Sequence, residues 1–393
     1  MESAKLPSFR SFCSSEFHFS HRVSLVEDGR ANAQIPASTV VSAVTFMGAL
    51  GLGSLLTCDQ MLRTPVGFSW FGNSSPAVSD TTMARSLETM NFDTLRPMLY
   101  DSYRLGRNQG LSKCHLRAGS LRIGIIDGST FGRFEASCFE IVGPSSLMVD
   151  LEKIPKHGKE LPCSYTLLRR LKDEFGFSFV DIILADGIYL NAPFFNLCLS
   201  ELKSDVLVKT DDTTRVIVQD AISFLSSDSP LFSKDIIHIE GTDPARMCSY
   251  EIKMADGFMM SGVETSLRVA WVQEVYLRTG ELSEFWVVAS GKYLKMPLTA
   301  DEMRELAHWR WDVENNGFKQ LNQTVHTKHI YSHDEVASEA ILLILFIVFN
   351  LLQLYLLLYM VSLTDYPGMK QTRKFALFLA RCIAIALAFI KYG

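Results

Sequence analysis

The sequence predicts an α/β chain with a mixed central sheet, a helical region before it and a β-rich insertion inside it. Two observations lead there. Residues 121–126 (LRIGII) and 179–185 (FVDIILA) are apolar runs without alternation, the pattern of strands covered on both faces. Each ends in Asp-Gly, at Asp127-Gly128 and at Asp186-Gly187. Between them lie two more strand-like runs, FEASCFEIV and SLMVDLEKI, and a helical stretch, SYTLLRRLKDEFG, with Gly176 as its stop signal.

The resulting order, strand-strand-strand-helix-strand, is that of an RNase H-like domain, in which carboxylates from the first and fourth strands meet. At 393 residues the chain is long enough for two or three folding units, and its 48% hydrophobic content can fill a sizeable core. We divide it into a helical N-terminal region (1–115), the first part of the sheet domain (116–190), a β-rich insertion (191–291) and the second part of the sheet domain (292–393).

Residues 1–115 read as helices with turn punctuation. TVVSAVTFMGALGLGSLL (39–56) suits a buried helix, 74–76 a loop, and Ser79 an N-cap for SDTTMARSLETM. The region holds ten Lys or Arg against nine Asp or Glu, so charge leaves helical support and DNA-end binding equally open. In the insertion, DVLVKT, TRVIVQD, DIIHIEG, SYEIKMA, SLRVAWVQEVYL and EFWVVAS read as short strands. From 301, DEMRELAHWRWDVENNGFKQLNQ reads as one amphipathic helix, with Leu306, Trp309, Val313, Gly317 and Leu321 on a shared face. Arg310 and Glu314 lie one turn apart at its border.

Residues 341–363 carry no charge over 23 positions and could span a bilayer by length. Asn350 and Gln353 interrupt the run, and Arg381 interrupts the next apolar stretch, FALFLARCIAIALAFI. A two-sided buried core helix accounts for both stretches without a membrane, so composition leaves span and core helix equally open. The eight cysteines form no C-x-x-C pair and read as reduced thiols. No basic stretch followed by an apolar run marks a secretory signal at the N-terminus, so a cytoplasmic protein is expected. The net charge of −5 argues mildly against nucleic-acid binding but does not say where the charges lie.

Three acidic residues stand out by context: Asp127, Asp186 and Glu314. Carboxylates converging from separate elements can hold hard divalent cations, which prefer oxygen ligands. Taken singly each is weak evidence, because strand-end Asp residues often only cap turns. His326, His329 and His333 invite a zinc reading, but no cysteine or fourth histidine lies close in sequence. No phosphate-binding glycine motif points to nucleotide hydrolysis.

The stretches IIDGST, KHGKELPCSYTLLRRLKDEFG, ILADGIYLNAPFFN and HWRWDVENNGFKQLNQ resemble the DDE transposases of bacterial insertion sequences, in the group with a β-rich insertion before the final Glu. AILLILFIVFNLLQLY resembles the apolar helix that follows that Glu, and SPAVSDTTMARSL the N-terminal region. The resemblance implies an endonuclease and strand-transferase that cuts at transposon ends and joins them to target DNA with Mg²⁺ or Mn²⁺. It implies Asp127, Asp186 and Glu314 as metal ligands, double-stranded DNA as partner (terminal inverted repeats and target) and a homodimer on DNA.

Part of that family carries Tyr, Arg, Glu and Lys at fixed steps around the Glu. Arg310 and Glu314 match, whereas Ala307 stands at the Tyr position and Leu321 at the Lys position. Lys319 and Lys328 are the lysines at hand to replace the latter. Arg310 is then a phosphate contact or an ion-pair partner of Glu314. Trp311 is a candidate for stacking on an unpaired base, while Trp309 reads as core. Lys156, Lys159, Arg169 and Arg170 are candidate phosphate contacts, though each taken singly reads first as part of a solvated basic face. Rival readings are a catalytically inactive DNA-binding relative, an RNase H-like nuclease without strand transfer, and a protein with C-terminal membrane helices.

Overall fold

The computed structural model describes residues 8–71, 78–116, 120–144, 146–155, 158–225, 231–234, 248–312 and 317–359. Seven helices come first: α1 (Phe9–Ser15), α2 (Phe19–Ser24), α3 (Ala37–Leu50), α4 (Leu55–Leu62), α5 (Pro65–Phe71), α6 (Asp80–Leu87) and α7 (Phe92–Asn108). The expected cap is present: the Ser79 hydroxyl accepts from the Thr82 N–H at 3.2 Å. The 74–76 loop lies outside the described residues.

A nine-stranded mixed sheet follows, besides a two-residue ladder of Cys114–His115 with Ser120–Leu121. Its strands are β1 (Ile123–Phe131), β2 (Phe134–Val142), β3 (Leu147–Lys153), β4 (Ile182–Ala185), β5 (Asp205–Thr210), β6 (Leu231–Lys234), β7 (Cys248–Phe258), β8 (Leu267–Tyr276) and β9 (Leu282–Ala289). Their spatial order is β3-β2-β1-β4-β5-β9-β8-β7-β6. The β1–β4 and β4–β5 pairs are parallel, and every other pair is antiparallel. Helix α8 (Glu160–Phe175) links β3 to β4 and packs on β2 and β3, ending at Gly176 as the sequence predicts.

The segment 191–291 differs from its expected strand pattern. It opens with α9 (Ala192–Asn196) and a π-helical turn, Leu197–Leu202. DVLVKT is β5, paired in parallel with β4. TRVIVQD is not a strand but part of α10 (Val216–Leu225), whose buried Ile217, Val218, Ala221 and Leu225 repeat at helical spacing. Its β-branched residues mislead because burial, not local preference, decides the element. DIIHIEG lies outside the described residues. β6 to β9 do not form a separate sheet: β9 pairs with β5 and extends the first five strands.

The chain returns from β9 along a fixed path. The buried Asp205 carboxylate accepts the N–H groups of Lys292, Tyr293 and Leu294 at 2.7–2.8 Å, and the Ser290 hydroxyl at 2.7 Å. Helix α11 (Ala300–Asp312) then begins with a reciprocal cap. Thr299 donates through its N–H and hydroxyl to Glu302, whose own N–H returns to the Thr299 hydroxyl. The expected continuous helix over 301–323 is described as α11 and, after a π-helical turn at 317–318, α12 (Lys319–Val325).

Helix α13 (Glu335–Tyr359) is the hub of the core. It is long and apolar enough to cross a membrane, yet 89% of its apolar window is buried inside the protein. It packs on α3, α7 and β3. Asn350 is fully buried and satisfied: it bonds both the N–H (2.9 Å) and the carbonyl (2.7 Å) of Met148 and the Ser102 hydroxyl (2.8 Å). The second apolar stretch, with Arg381, lies outside the described residues. Beside α13, the buried Asp150 of β3 accepts from Tyr100, Arg96 and Arg170, joining α7, β3 and α8.

Candidate active site

Parallel pairing aligns Ile123 with Ile182, Gly124 with Ile183 and Ile125 with Leu184. Continued by two residues, this register sets Asp127 opposite Asp186. Asp127 does not end its strand, as the apolar run suggests: β1 runs on to Phe131 in the hairpin with β2. What ends near Asp127 is the pairing with β4, so its carboxylate stands at the end of the parallel ladder. Asp186 follows β4 directly and caps the short turn 187–189, accepting the Ile188 N–H at 3.1 Å. Asp127 is 8% exposed and accepts the Gly128 N–H at 2.9 Å.

The glycines after both aspartates leave room for a neighbouring side chain to approach closely, rather than making a turn. A Cβ on Gly128 would fall 2.6 Å from a Glu160 carboxylate oxygen, and one on Gly187 would fall 2.7 Å from the Thr210 hydroxyl. Glu160, the first residue of α8, therefore lies against the strand that carries Asp127. Its carboxylate accepts the Tyr189 hydroxyl at 2.8 Å. Tyr189 in turn shares a 2.7 Å hydrogen bond with Ser164, and Ser164 one of 2.7 Å with Ser137. Burial raises the Glu160 pKa, and the Asp186 charge adds to the rise. The sequence reading did not single out Glu160; its only signal was an acidic residue in a helix's first turn.

Helix α11 crosses β4, β5 and β7 to β9 and brings Arg310 to the site. The Arg310 guanidinium lies 3.5 Å from the Asp127 carboxylate. Farther along the same helix, Arg304 stands 2.5 Å and His308 2.7 Å from the buried Glu274 carboxylate of β8. Burial would raise the Glu274 pKa, but His308 and Arg304 together hold it below the ordinary carboxylate value. Lys209 of β5, the one cation in DVLVKT, follows Val208, which pairs with Ala185, and so lies in register with Asp186. Burial over the Phe285 ring pushes its ammonium down to about 8, against the pull of Glu274.

Other predicted residues fall elsewhere. Glu314 lies outside the described residues, as do Lys156 and the Trp311 side chain. Lys159 and Lys319 are exposed, at the starts of α8 and α12, and Lys328 is exposed beyond α12. Arg169 and Arg170 are not free phosphate contacts: Arg169 pairs with Glu201, and Arg170 with Asp150 and Glu152. Ala307 and Leu321 are fully buried, so these two departures from the family pattern belong to the core. Trp309 packs against the core as expected. Among the described residues no three His, Cys, Asp or Glu side chains gather closely enough to hold an ion.

No family model matches the sequence, and no curated protein matches it. Among solved structures, the chain is similar to the piggyBac transposase synaptic complex with hairpin DNA, with a TM-score of 0.44 and 12% identity. The match covers 100% of this chain and 83% of that one. A likeness that distant assigns no reaction.

Proposed function

We propose that this chain is a DDE-type DNA transposase with an RNase H-like catalytic sheet. The observation that carries the reading is the placement of Asp127 and Asp186. They come from two of the stretches that carry the family resemblance, and they align across adjacent parallel strands in the order β3-β2-β1-β4-β5. Glu314 follows Arg310 by four residues and is the third carboxylate of this reading.

The carboxylate oxygens of Asp127 and Asp186 suit a hard divalent cation, Mg²⁺ or Mn²⁺, with Glu314 completing the set. Such a cation supplies charge neutralisation at the attacking and leaving oxygens of a phosphodiester. Arg310, beside Asp127, binds a non-bridging phosphate oxygen and holds the scissile group in line. Lys159 and Lys319 hold flanking phosphates, and Trp311 stacks on a base. In the first reaction a water oxygen bonds to phosphorus and the 3′ oxygen leaves with a proton. In the second, the oxygen of that 3′-hydroxyl bonds to a target phosphorus and gives up its proton, and the target's own 3′ oxygen leaves with a proton.

The partners are double-stranded DNA at the element's inverted-repeat ends and at the target, with a homodimer joining two ends in the cytoplasm. The test is cleavage of a duplex bearing the repeat that flanks the gene, with Mg²⁺ or EDTA. Wild type should cut only with metal, while Asp127→Ala, Asp186→Ala and Glu314→Ala bind the duplex without cutting. Wild type that binds the end and never cuts refutes the enzyme and leaves an inactive DNA-binding relative.

A further inference from the structure

The parallel ladder between β1 and β4 stops short of the two aspartates. Its last paired rung is Ile125–Leu184, and β4 ends at Ala185. Asp127 and Asp186 lie two residues beyond that rung, where backbone bonds between the two strands no longer hold the register.

One side chain spans the gap. The Glu160 carboxylate, from the first residue of α8, touches the segments of both Asp-Gly motifs. On the β1 side it lies against Gly128, where a Cβ would fall 2.6 Å from one of its oxygens and 2.9 Å from the other. The Gly128 N–H, which bonds the Asp127 carboxylate at 2.9 Å, is turned to Glu160 as well. On the β4 side the Glu160 Oε1 accepts the Tyr189 hydroxyl at 2.8 Å. Tyr189 belongs to the turn that Asp186 caps, and its own N–H returns to the Asp186 carbonyl at 3.1 Å.

This bridge is braced from behind. Tyr189 is fully buried, with its ring 4.9 Å from that of Phe194. Its hydroxyl lies 2.7 Å from the Ser164 hydroxyl, which is 2.9 Å from the carbonyl oxygen of Glu160 itself. The carboxylate and the backbone of Glu160 therefore belong to one closed ring of hydrogen bonds, and satisfied buried networks rigidify what they join.

We propose that Glu160 is a positioning residue for the aspartate pair, holding Gly128 and Tyr189 together so that Asp127 and Asp186 keep a fixed separation for a shared cation. Its role toward the cation rests on the proposed metal reading; the bridge does not. A carboxylate suits the task because each of its two oxygens can take a donor, whereas the amide of Gln has one oxygen and meets the second donor with N–H groups. A first-turn carboxylate that only favoured the helix dipole would add stability to α8 without coupling two distant segments.

The test compares the full chain with Glu160→Gln, which keeps the side-chain volume, and with Tyr189→Phe, which deletes one arm. Hydrogen–deuterium exchange of the metal-free proteins follows residues 125–129 and 185–190, and electron paramagnetic resonance of free Mn²⁺ reads the affinity of each. In Glu160→Gln both segments should exchange faster together, by about tenfold or more, while the outer strands stay as in wild type. The Mn²⁺ Kd should rise by about 10–100-fold, the usual cost of losing a group that orients metal ligands. Adding Tyr189→Phe should weaken Mn²⁺ no further, because the same bridge is already broken. Exchange that quickens at one segment only, or at neither, overturns the proposal, and so does a Glu160→Gln protein that binds Mn²⁺ like wild type. Wild type that binds no Mn²⁺ overturns the metal reading together with the role of Glu160 in it, and the wild-type titration alone tells that failure from the others.

Discussion

Asp127 and Asp186 stand two residues beyond one rung of the same parallel ladder, Ile125–Leu184, so their carboxylates share an edge of the sheet. Two like charges held together by backbone pairing gain from a cation that binds both. A ligand that binds only the folded state at a hundred times its Kd stabilises it by about 2.7 kcal/mol. Mn²⁺ should therefore raise the melting temperature of wild type by several degrees and leave Asp186→Asn unmoved. Differential scanning fluorimetry with and without Mn²⁺ reads this; an equal rise in both proteins removes Asp186 from the metal site.

Gly128→Ala tests the approach of Glu160 to the same edge. The new methyl group meets the Glu160 carboxylate, which must move away from its Tyr189 bond. Overpacking of this kind costs about 1–3 kcal/mol. End cleavage should fall by about tenfold or more, one such factor being about 1.4 kcal/mol of barrier. Shortening the neighbour in Gly128→Ala/Glu160→Asp should recover part of the stability in urea unfolding. A double variant as unstable as the sum of the single changes would show that the two positions do not interact.

Glu274→Gln probes the anchor of α11 through pH. The folded-state pKa of Glu274 is lowered, so its charged pairing with Arg304 and His308 adds stability that is full above the unfolded carboxylate value of 4.5. That stability is lost as pH falls through the lower folded value. Wild type should lose stability below pH 4.5 more steeply than Glu274→Gln. At neutral pH the variant should be weaker by about 3–5 kcal/mol, the cost of breaking a buried pair. Parallel acid limbs in the two unfolding curves would rule out this role.

Asn350→Leu strands both polar groups of Met148 inside the core. Each unsatisfied buried group costs about 1–3 kcal/mol. The midpoint of urea unfolding should fall while its slope stays constant, because the same surface is exposed on unfolding. A neutral outcome would mean that α13 is not seated on β3 as the structure has it.

The first five strands and α8 were legible because each is buried on both faces or has a clear stop, as at LRIGII and Gly176. The span at TRVIVQD was not, since Val and Ile suit a strand locally and only the partners of Ile217 and Leu225 make it a helix. Asp127 and Asp186 could be read from their Asp-Gly pairs, but the reason for those glycines could not. It lies in Glu160 and Thr210, residues distant in sequence that press on the same backbone. Lys209 was hidden for a like reason: one lysine in a strand shows its burial only when Phe285 is laid across it. Arg170 was misread because its partner Asp150 is itself invisible as a buried charge until β3 is covered.

The Asp205 carboxylate grips the chain where it comes back from β9, while β9 itself is laced to β5. Both ends of the segment from 211 to 281 are thus moored to a single strand of the core. Between those moorings β8 also holds α11, through Glu274 with Arg304 and His308, so the strands that the helix crosses are tied to the position of Arg310. That leaves the exposed turn at Thr279-Gly280, rather than the strands, as the place where a foreign module grafts with least disturbance.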